Sequence, residues 1–255
     1  MKIATIQHDI VWEDKDANFE RLAPMIRSAA ATGARIALLT ETFSTGFSMD
    51  TARTAEPIGG PSSAFLQQQA KEHDLWVGGS CPEVADGDSD RPFNTFVLAG
   101  PDGTIHRYRK VHPFTYGGEE RSFQGGSDLV TVEIEGLRVS LFVCYDLRFA
   151  DEWWQLAHQT DVYLVVANWP EARRLHWQAL TLARAIENQA YVVACNRVGP
   201  GGGIDYAGDS RIIDPLGELL ATGARTEALL VAEVDASHVG AVRDRFRFLQ
   251  DRRTS

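Results

Sequence analysis

Basic residues are in short supply in this chain: 25 Lys and Arg face 35 Asp and Glu, a formal net charge of −10 over 255 residues with His neutral. A surface of that sign repels phosphate backbones and anionic membranes, because counterion release needs clustered cations, so no nucleic-acid partner and no membrane partner is expected. Long apolar runs are missing as well. Stretches such as Tyr163 to Ala167 and Ala228 to Ala232 fall far short of the ~20 residues that a membrane-spanning helix needs. The N-terminus has a positive charge at Lys2 but no apolar stretch of signal-peptide length, which sets the expectation of a cytoplasmic protein. Cysteine is scarce: Cys81, Cys144 and Cys195 make an odd count with no C-x-x-C pair, against both a disulfide framework and a zinc ribbon.

Several chemistries lack their signature. There is no Gly-Lys dipeptide for a phosphate-binding loop and no G-x-G-x-x-G, so nucleotide binding has no support. Gly199-Pro-Gly-Gly-Gly203 follows a strand pattern without a helix pattern after it, and reads as a flexible connection. The G-x-S-x-G elbow of serine hydrolases is absent, and none of the seven histidines has a metal-ligand spacing. No metal and no cofactor is expected.

What is present is a regular alternation. With 44% hydrophobic residues, no low-complexity tract and no repeat, residues 1–255 read as one domain around one sizeable core. Residues 2–7 have strand character, residues 18–32 carry apolar positions at helical spacing up to Gly33, and residues 36–40 form a buried strand pattern. Pro61 marks another helix start, followed by a strand near 75–79, which leaves Cys81 and Pro82 in a loop. Residues 93–99 with 104–109, and 129–134 with 138–143, flank turn chemistry and predict two hairpins. Then come a strand over 161–167, a helix over 173–189, a strand over 191–195, a β pair over 210–221 and a last strand over 228–234. The expected fold is α/β, with two mixed sheets inside and helices outside.

Three widely separated segments put a reactive side chain at the end of a strand pattern. Glu41 follows the buried run from Ile36; a carboxylate there is either solvated or held in a dry pocket as a general base. Lys110 lies in Tyr108-Arg-Lys110-Val-His112-Pro-Phe114, which on its own reads as a solvated strand edge. Cys144 closes Val139-Ser-Leu-Phe-Val-Cys144 and is followed by Tyr145-Asp-Leu-Arg-Phe149. That is the strand-to-turn pattern of an exposed nucleophile, although a free cysteine equally often fills space. Cys195 reads as core filler.

Taken together, Glu41, Lys110 and Cys144 resemble the Glu-Lys-Cys triad of the nitrilase, or carbon-nitrogen hydrolase, superfamily, and Glu119 in Gly117-Gly-Glu-Glu-Arg-Ser-Phe-Gln-Gly-Gly126 resembles its second glutamate. Glu120 is adjacent, so that assignment is open by one position. The resemblance runs from Ile3 to Val234 and implies a four-layer α-β-β-α sandwich. Within the superfamily the chain is most similar to the ω-amidases, through Val166-Ala-Asn-Trp-Pro170, Leu175-His-Trp177, Ala183-Arg-Ala-Ile-Glu-Asn-Gln-Ala-Tyr191, Cys195-Asn-Arg-Val198 and Gly208-Asp-Ser-Arg211. It varies at residues 111–114 and in the acidic stretch 85–90, either of which bears on substrate choice.

The resemblance implies hydrolysis of the terminal amide of α-keto dicarboxylic monoamides such as 2-oxoglutaramate and 2-oxosuccinamate, through a cysteine thioester. Cys144 is then the nucleophile, Glu41 the proton shuttle, and Lys110 with the backbone N–H of Tyr145 the oxyanion donors. Glu119 positions Lys110. Asn168 and Trp169 belong to the substrate pocket, and Arg173 and Arg174 are the candidate partners for a substrate carboxylate, with a solvated helix turn as the plain alternative. Arg184, Glu187, Asn188 and Tyr191 have the spacing of intrahelical pairs and are assigned to structure. Trp153, Trp154, His176 and Trp177 read as packing or as a contact between subunits, the resemblance implying a homodimer. Rival activities are hydrolysis of N-carbamoyl amino acids, aliphatic amides or nitriles; a catalytically silent binding protein would be expected to lack a triad member.

Overall fold

The computed structural model describes residues 1–85 and 91–253. The first half of the chain runs β1 (Lys2–Gln7), α1 (Lys15–Ala31), β2 (Ile36–Leu38), α2 (Thr51–Thr54), β3 (Glu56–Pro57), α3 (Pro61–His73), β4 (Trp76–Val84), β5 (Phe93–Ala99), β6 (Ile105–Arg109) and α4 (Glu119–Ser122). The second runs β7 (Thr131–Ile134), β8 (Leu137–Val143), α5 (Ala150–Leu156), β9 (Val162–Ala167), α6 (Arg174–Asn188), β10 (Tyr191–Asn196), β11 (Val198–Gly201), β12 (Ile204–Ile213), β13 (Leu219–Ala224), β14 (Ala228–Glu233) and α7 (Ala236–Arg245). Local chemistry sets the ends. Asp14 caps α1 by accepting from the Ala17 N–H. Pro61 opens α3, where its missing N–H costs nothing, and Gln189 in the left-handed region closes α6.

The strands form two seven-stranded mixed sheets. One has the order β14-β1-β2-β4-β5-β6 with β3 on β4; the other has β11-β12-β10-β9-β8-β7 with β13 on β12. Each has a parallel centre, β1-β2-β4 and β8-β9-β10, flanked by antiparallel strands. Successive side chains point to opposite faces, and the core follows that parity. Ile36, Leu38, Phe96 and Leu98 pack with Val139, Leu141 and Leu164 of the facing sheet. Ala37, Leu39, Val97 and Ala99 face the other way and join Leu22 and Ile26 of α1 and Leu66 and Ala70 of α3. Trp153 of α5 and Trp177 of α6, both buried, cover the second sheet from outside. The result is the expected α-β-β-α sandwich. Among the described residues no helix is long and apolar enough to cross a membrane.

Some local expectations are corrected. Cys81 and Pro82 lie inside β4, which runs on past the end of β2 to Val84 with β5 alongside. β2 is shorter than expected, ending at Leu38, although Leu39 and Thr40 still bond to Gly78 and Ser80 of β4 before the chain turns at Glu41. The glycine-rich segment 199–203 is not a loose connection but the tip of the β11–β12 hairpin. A Cβ at Gly202, where φ is +57°, would lie 2.6 Å from Trp12. Helix α7, capped by Asp235 on the Ser237 N–H, has no counterpart in the sequence reading. Of the acidic stretch 85–90, residues 86–90 lie outside the described residues.

Candidate active site

The two sheets bring the three strand-end residues together at one seam. Glu41 comes just after β2, Lys110 directly after β6 and Cys144 directly after β8. Lys110 Nζ donates to Glu41 Oε1 at 2.9 Å and to Glu119 at 2.8 and 3.0 Å. Glu119, not Glu120, therefore faces the lysine, and it also accepts from the Phe114 N–H at 2.5 Å. Glu41, Lys110 and Glu119 are essentially without solvent exposure. Glu41 is held by two further donors: Asn94 Nδ2 at 2.9 Å on Oε1, and the Asn168 backbone N–H at 2.7 Å on Oε2. Asn94 was not anticipated; in sequence it is one polar position within β5, and only the register of the sheet aims it at Glu41.

The turn that carries Cys144 is sharp. Cys144 has φ of +45°, in the left-handed region that costs a non-glycine residue about 1–3 kcal/mol. Asp146 holds the turn. Its carboxylate accepts from the Val143 N–H at 3.1 Å, the Tyr108 hydroxyl at 2.7 Å and the His112 N–H at 2.9 Å, which ties the cysteine turn to the strand and loop flanking Lys110. Sequence reasoning did not single out this residue.

Burial dominates the electrostatics. It pushes the Cys144 thiol well above its ordinary pKa, the Glu41 charge adds to the rise, and Lys110 opposes it. The resting sulfur is thus a thiol. Burial also works against the Lys110 charge, but Glu119 and Glu41 outweigh it and hold the ammonium protonated. For Glu119 burial raises the pKa, Lys110 pulls it back and Glu41 raises it again, with a net upward shift. Burial raises Asp146 to about 6. The other two cysteines are also pushed up by burial, Cys81 with Glu56 and Glu83 adding to the effect.

Above Cys144 lies a cavity of about 290 Å³, whose lining includes the aromatic side chains of Trp12, Phe47, Phe114, Tyr145, Trp169 and Tyr206. Tyr145 lines it beside the cysteine, as do Asn168, Trp169 and Arg173. Asn168 spends its side-chain N–H2 on the Glu41 carbonyl and the Thr42 hydroxyl, both at 2.8 Å, and its side-chain oxygen has no partner. Trp169 is fixed by its N–H on Asn196 at 2.7 Å. Arg173 lies over the Phe114 ring at 5.0 Å. Arg174 is not part of this lining; its guanidinium pairs with Asp209 at 2.6 and 2.9 Å. A second cation, Arg148, reaches the cavity instead, over Trp169 at 4.7 Å and bonded to His176 at 3.1 Å. Neither Arg148 nor Arg173 meets a carboxylate among the described residues, and no Asp or Glu lines the cavity. Sequence reasoning did not single out Arg148, although it stands four residues after Cys144. Arg184, by contrast, pairs with Glu187 and bonds the Leu147 carbonyl, as a structural group. Among the described residues no cluster of His, Cys, Asp and Glu could hold a metal ion.

The structure places a thiol, a buried carboxylate and a buried ammonium at the meeting of two sheets in an α-β-β-α sandwich, and the chain belongs to the carbon-nitrogen hydrolase family, which residues 2–244 match. Among curated relatives, the omega-amidase YafV of Escherichia coli (strain K12) is 38% identical over 253 residues, covering 98% of this chain and 96% of that protein. The 2-oxoglutaramate amidase of Bacillus subtilis (strain 168) is 34% identical, covering 98% and 96%. Among solved structures, a carbon-nitrogen hydrolase superfamily protein from Xanthomonas campestris, with an arsenic adduct in its active site, superimposes with a TM-score of 0.93 at 32% identity, covering 100% of this chain and 98% of the other.

Proposed function

We propose that this protein is an ω-amidase that hydrolyses the terminal amide of α-keto dicarboxylic monoamides, 2-oxoglutaramate and 2-oxosuccinamate, to the acid and ammonia. The observation that carries the reading is the pair of guanidiniums, Arg148 and Arg173, at an otherwise largely apolar cavity over Cys144, with no carboxylate partner among the described residues. Half-buried cations without counter-ions suit a substrate that brings its own carboxylate, which arginine binds through its planar fork. The names of the similar amidases point the same way.

In this mechanism Cys144 Sγ attacks the amide carbon while its proton passes to Glu41, forming the C–S bond and placing negative charge on the former carbonyl oxygen. Lys110 Nζ and the Tyr145 N–H stabilise that oxyanion; one such donor is typically worth about 3 kcal/mol of barrier. Glu41 gives the proton to the departing nitrogen, ammonia leaves, and a thioester remains. Glu41 then takes a proton from water as it attacks the thioester, and returns it to the leaving Cys144 sulfur. Asn94 and Asn168 keep Glu41 aimed throughout, and Glu119 keeps Lys110 in place. The same reading takes residues 1–255 as one catalytic unit acting as a homodimer in the cytoplasm.

The test is ammonia release from 2-oxoglutaramate, 2-oxosuccinamate, glutamine, an N-carbamoyl amino acid and a short nitrile. The two keto acid amides should be the fastest, and Cys144→Ala should be inactive but folded. A nitrile or an N-carbamoyl amino acid as the sole substrate would overturn the reading.

A further inference from the structure

The hairpin of β11 and β12 contributes one cavity residue that the mechanism leaves unused, Tyr206. Its ring lies 4.6 Å from the guanidinium of Arg197, which is fully buried and pinned by Asp9 Oδ1 at 2.8 Å and the Pro200 carbonyl at 2.9 Å. The hairpin tip fits closely around that arginine: a Cβ at Gly201 would lie 2.4 Å from its guanidinium. Tyr206 is therefore clamped from behind. Only 5% of the residue is exposed, it lines the cavity with Cys144 and Arg173, and its hydroxyl has no hydrogen-bond partner among the described residues.

Tyr206 lines the cavity and its hydroxyl is not among the fully enclosed polar atoms, so it is reachable from the cavity and can donate to an acceptor on a bound ligand. Burial raises the phenol to about 12, so at neutral pH the group keeps its proton and donates. β12 packs against the 3-10 turn Glu171–Arg173, and Tyr206 and Arg173 line the same cavity. In an α-keto acid the carboxylate and the keto oxygen sit on adjacent carbons, which matches an arginine and a hydroxyl donor in one cavity.

We propose that the Tyr206 hydroxyl donates a hydrogen bond to the 2-oxo oxygen of the substrate while Arg173 holds the neighbouring carboxylate, making Tyr206 a specificity residue for α-keto over unsubstituted acids. An α-amino acid amide fits worse still: its ammonium would meet this donor and two guanidiniums. The proposal rests on the ω-amidase reading above.

The experiment is Tyr206→Phe, which keeps the ring over Arg197 and removes only the hydroxyl. It compares 2-oxoglutaramate with glutaramate, which has the same amide, chain length and carboxylate but no keto oxygen. The wild-type enzyme should lose roughly 10-fold in kcat/KM on 2-oxoglutaramate in the variant, the effect of one hydrogen bond, with an unchanged Tm. Glutaramate, followed as substrate or by its Ki as a competitive inhibitor, should change less than about twofold. Equal losses on both compounds, or no loss on either, overturn the role of Tyr206 and leave the ω-amidase reading standing. A wild-type protein that hydrolyses other amides or nitriles but not 2-oxoglutaramate overturns both.

Discussion

Replacing Glu41 by Gln should separate two quantities that are often assumed to move together, the ionisation of the nucleophile and the rate of turnover. In the native site Glu41 accepts from Asn168 at 2.7 Å on one oxygen and from Lys110 and Asn94 at 2.9 Å on the other. A glutamine must turn its N–H2 toward one of these donors, and a donor facing a donor in a buried site costs about 1–3 kcal/mol. The proton shuttle is lost as well, typically 100- to 10,000-fold in rate, or about 3–5 kcal/mol of barrier at roughly 1.4 kcal/mol per decade. Turnover in Glu41→Gln should therefore fall at least about 100-fold. The thiol should respond in the opposite sense. Burial and the Glu41 charge both hold the Cys144 pKa up while Lys110 lowers it, so neutralising Glu41 lets Cys144 ionise at lower pH. The assay is the pH dependence of iodoacetamide labelling of Cys144, read by mass spectrometry, alongside ammonia release from the same samples. A variant within about tenfold of wild-type turnover, or a labelling midpoint that moves upward, would refute the assignment of Glu41 as proton acceptor.

Two other outcomes follow from groups around the site. Asp146, raised to about 6 by burial, should impose an acid limb on kcat near that pH, because protonation removes an acceptor from the turn carrying Cys144. Its contribution to stability has the opposite sign: the folded pKa lies above the ordinary 3.8, so this group favours the folded state increasingly as pH falls from 6 toward 4. A rate profile flat down to pH 5, or an Asp146→Asn variant that keeps the limb, would count against this. The two arginines in sequence should divide cleanly. Arg173→Ala should raise KM about tenfold or more for 2-oxoglutaramate but not for a simple aliphatic amide, whereas Arg174→Ala should cost about 1 kcal/mol or less of stability and leave both rates within about twofold. Equal rate losses on both amides in Arg173→Ala would dismiss carboxylate binding.

How much of this was legible in the sequence depended on the range of the interactions involved. Glu41, Lys110 and Cys144 each follow an apolar strand pattern, a local signal, and the order of the three motifs carried the family. Strand parity was equally readable, since Ile36 and Leu38 pack against the other sheet while Ala37 and Leu39 meet the helices. Asn94 and Asp146 could not be ranked by the same means, because their partners lie 53 and 38 residues away, at Glu41 and Tyr108. Pro82 misled the reading by looking like a strand breaker, yet it lies past the end of β2, where β4 has lost that neighbour. The glycines at 199–203 suggested looseness, and the structure uses their missing side chains for tight fit around Trp12 and Arg197. Arg173 and Arg174 have nearly the same sequence context, and only Asp209, 35 residues from Arg174, tells them apart.

Asn94 lies in one sheet and Glu41 and Lys110 follow the ends of its strands, whereas Cys144 and Asn168 follow the ends of strands of the other. The catalytic machinery is consequently a property of the seam rather than of either half, and catalysis acts as a ruler for how the two halves mate. Each sheet can keep its backbone ladder while the pair slides or parts slightly, and optical measures of strand content would register nothing. On the mechanism proposed above, proton transfer needs Glu41 and Cys144 within hydrogen-bonding reach and would stop first. Loss of activity on mild perturbation of this protein therefore reports first on the alignment of two surfaces, and only later on unfolding.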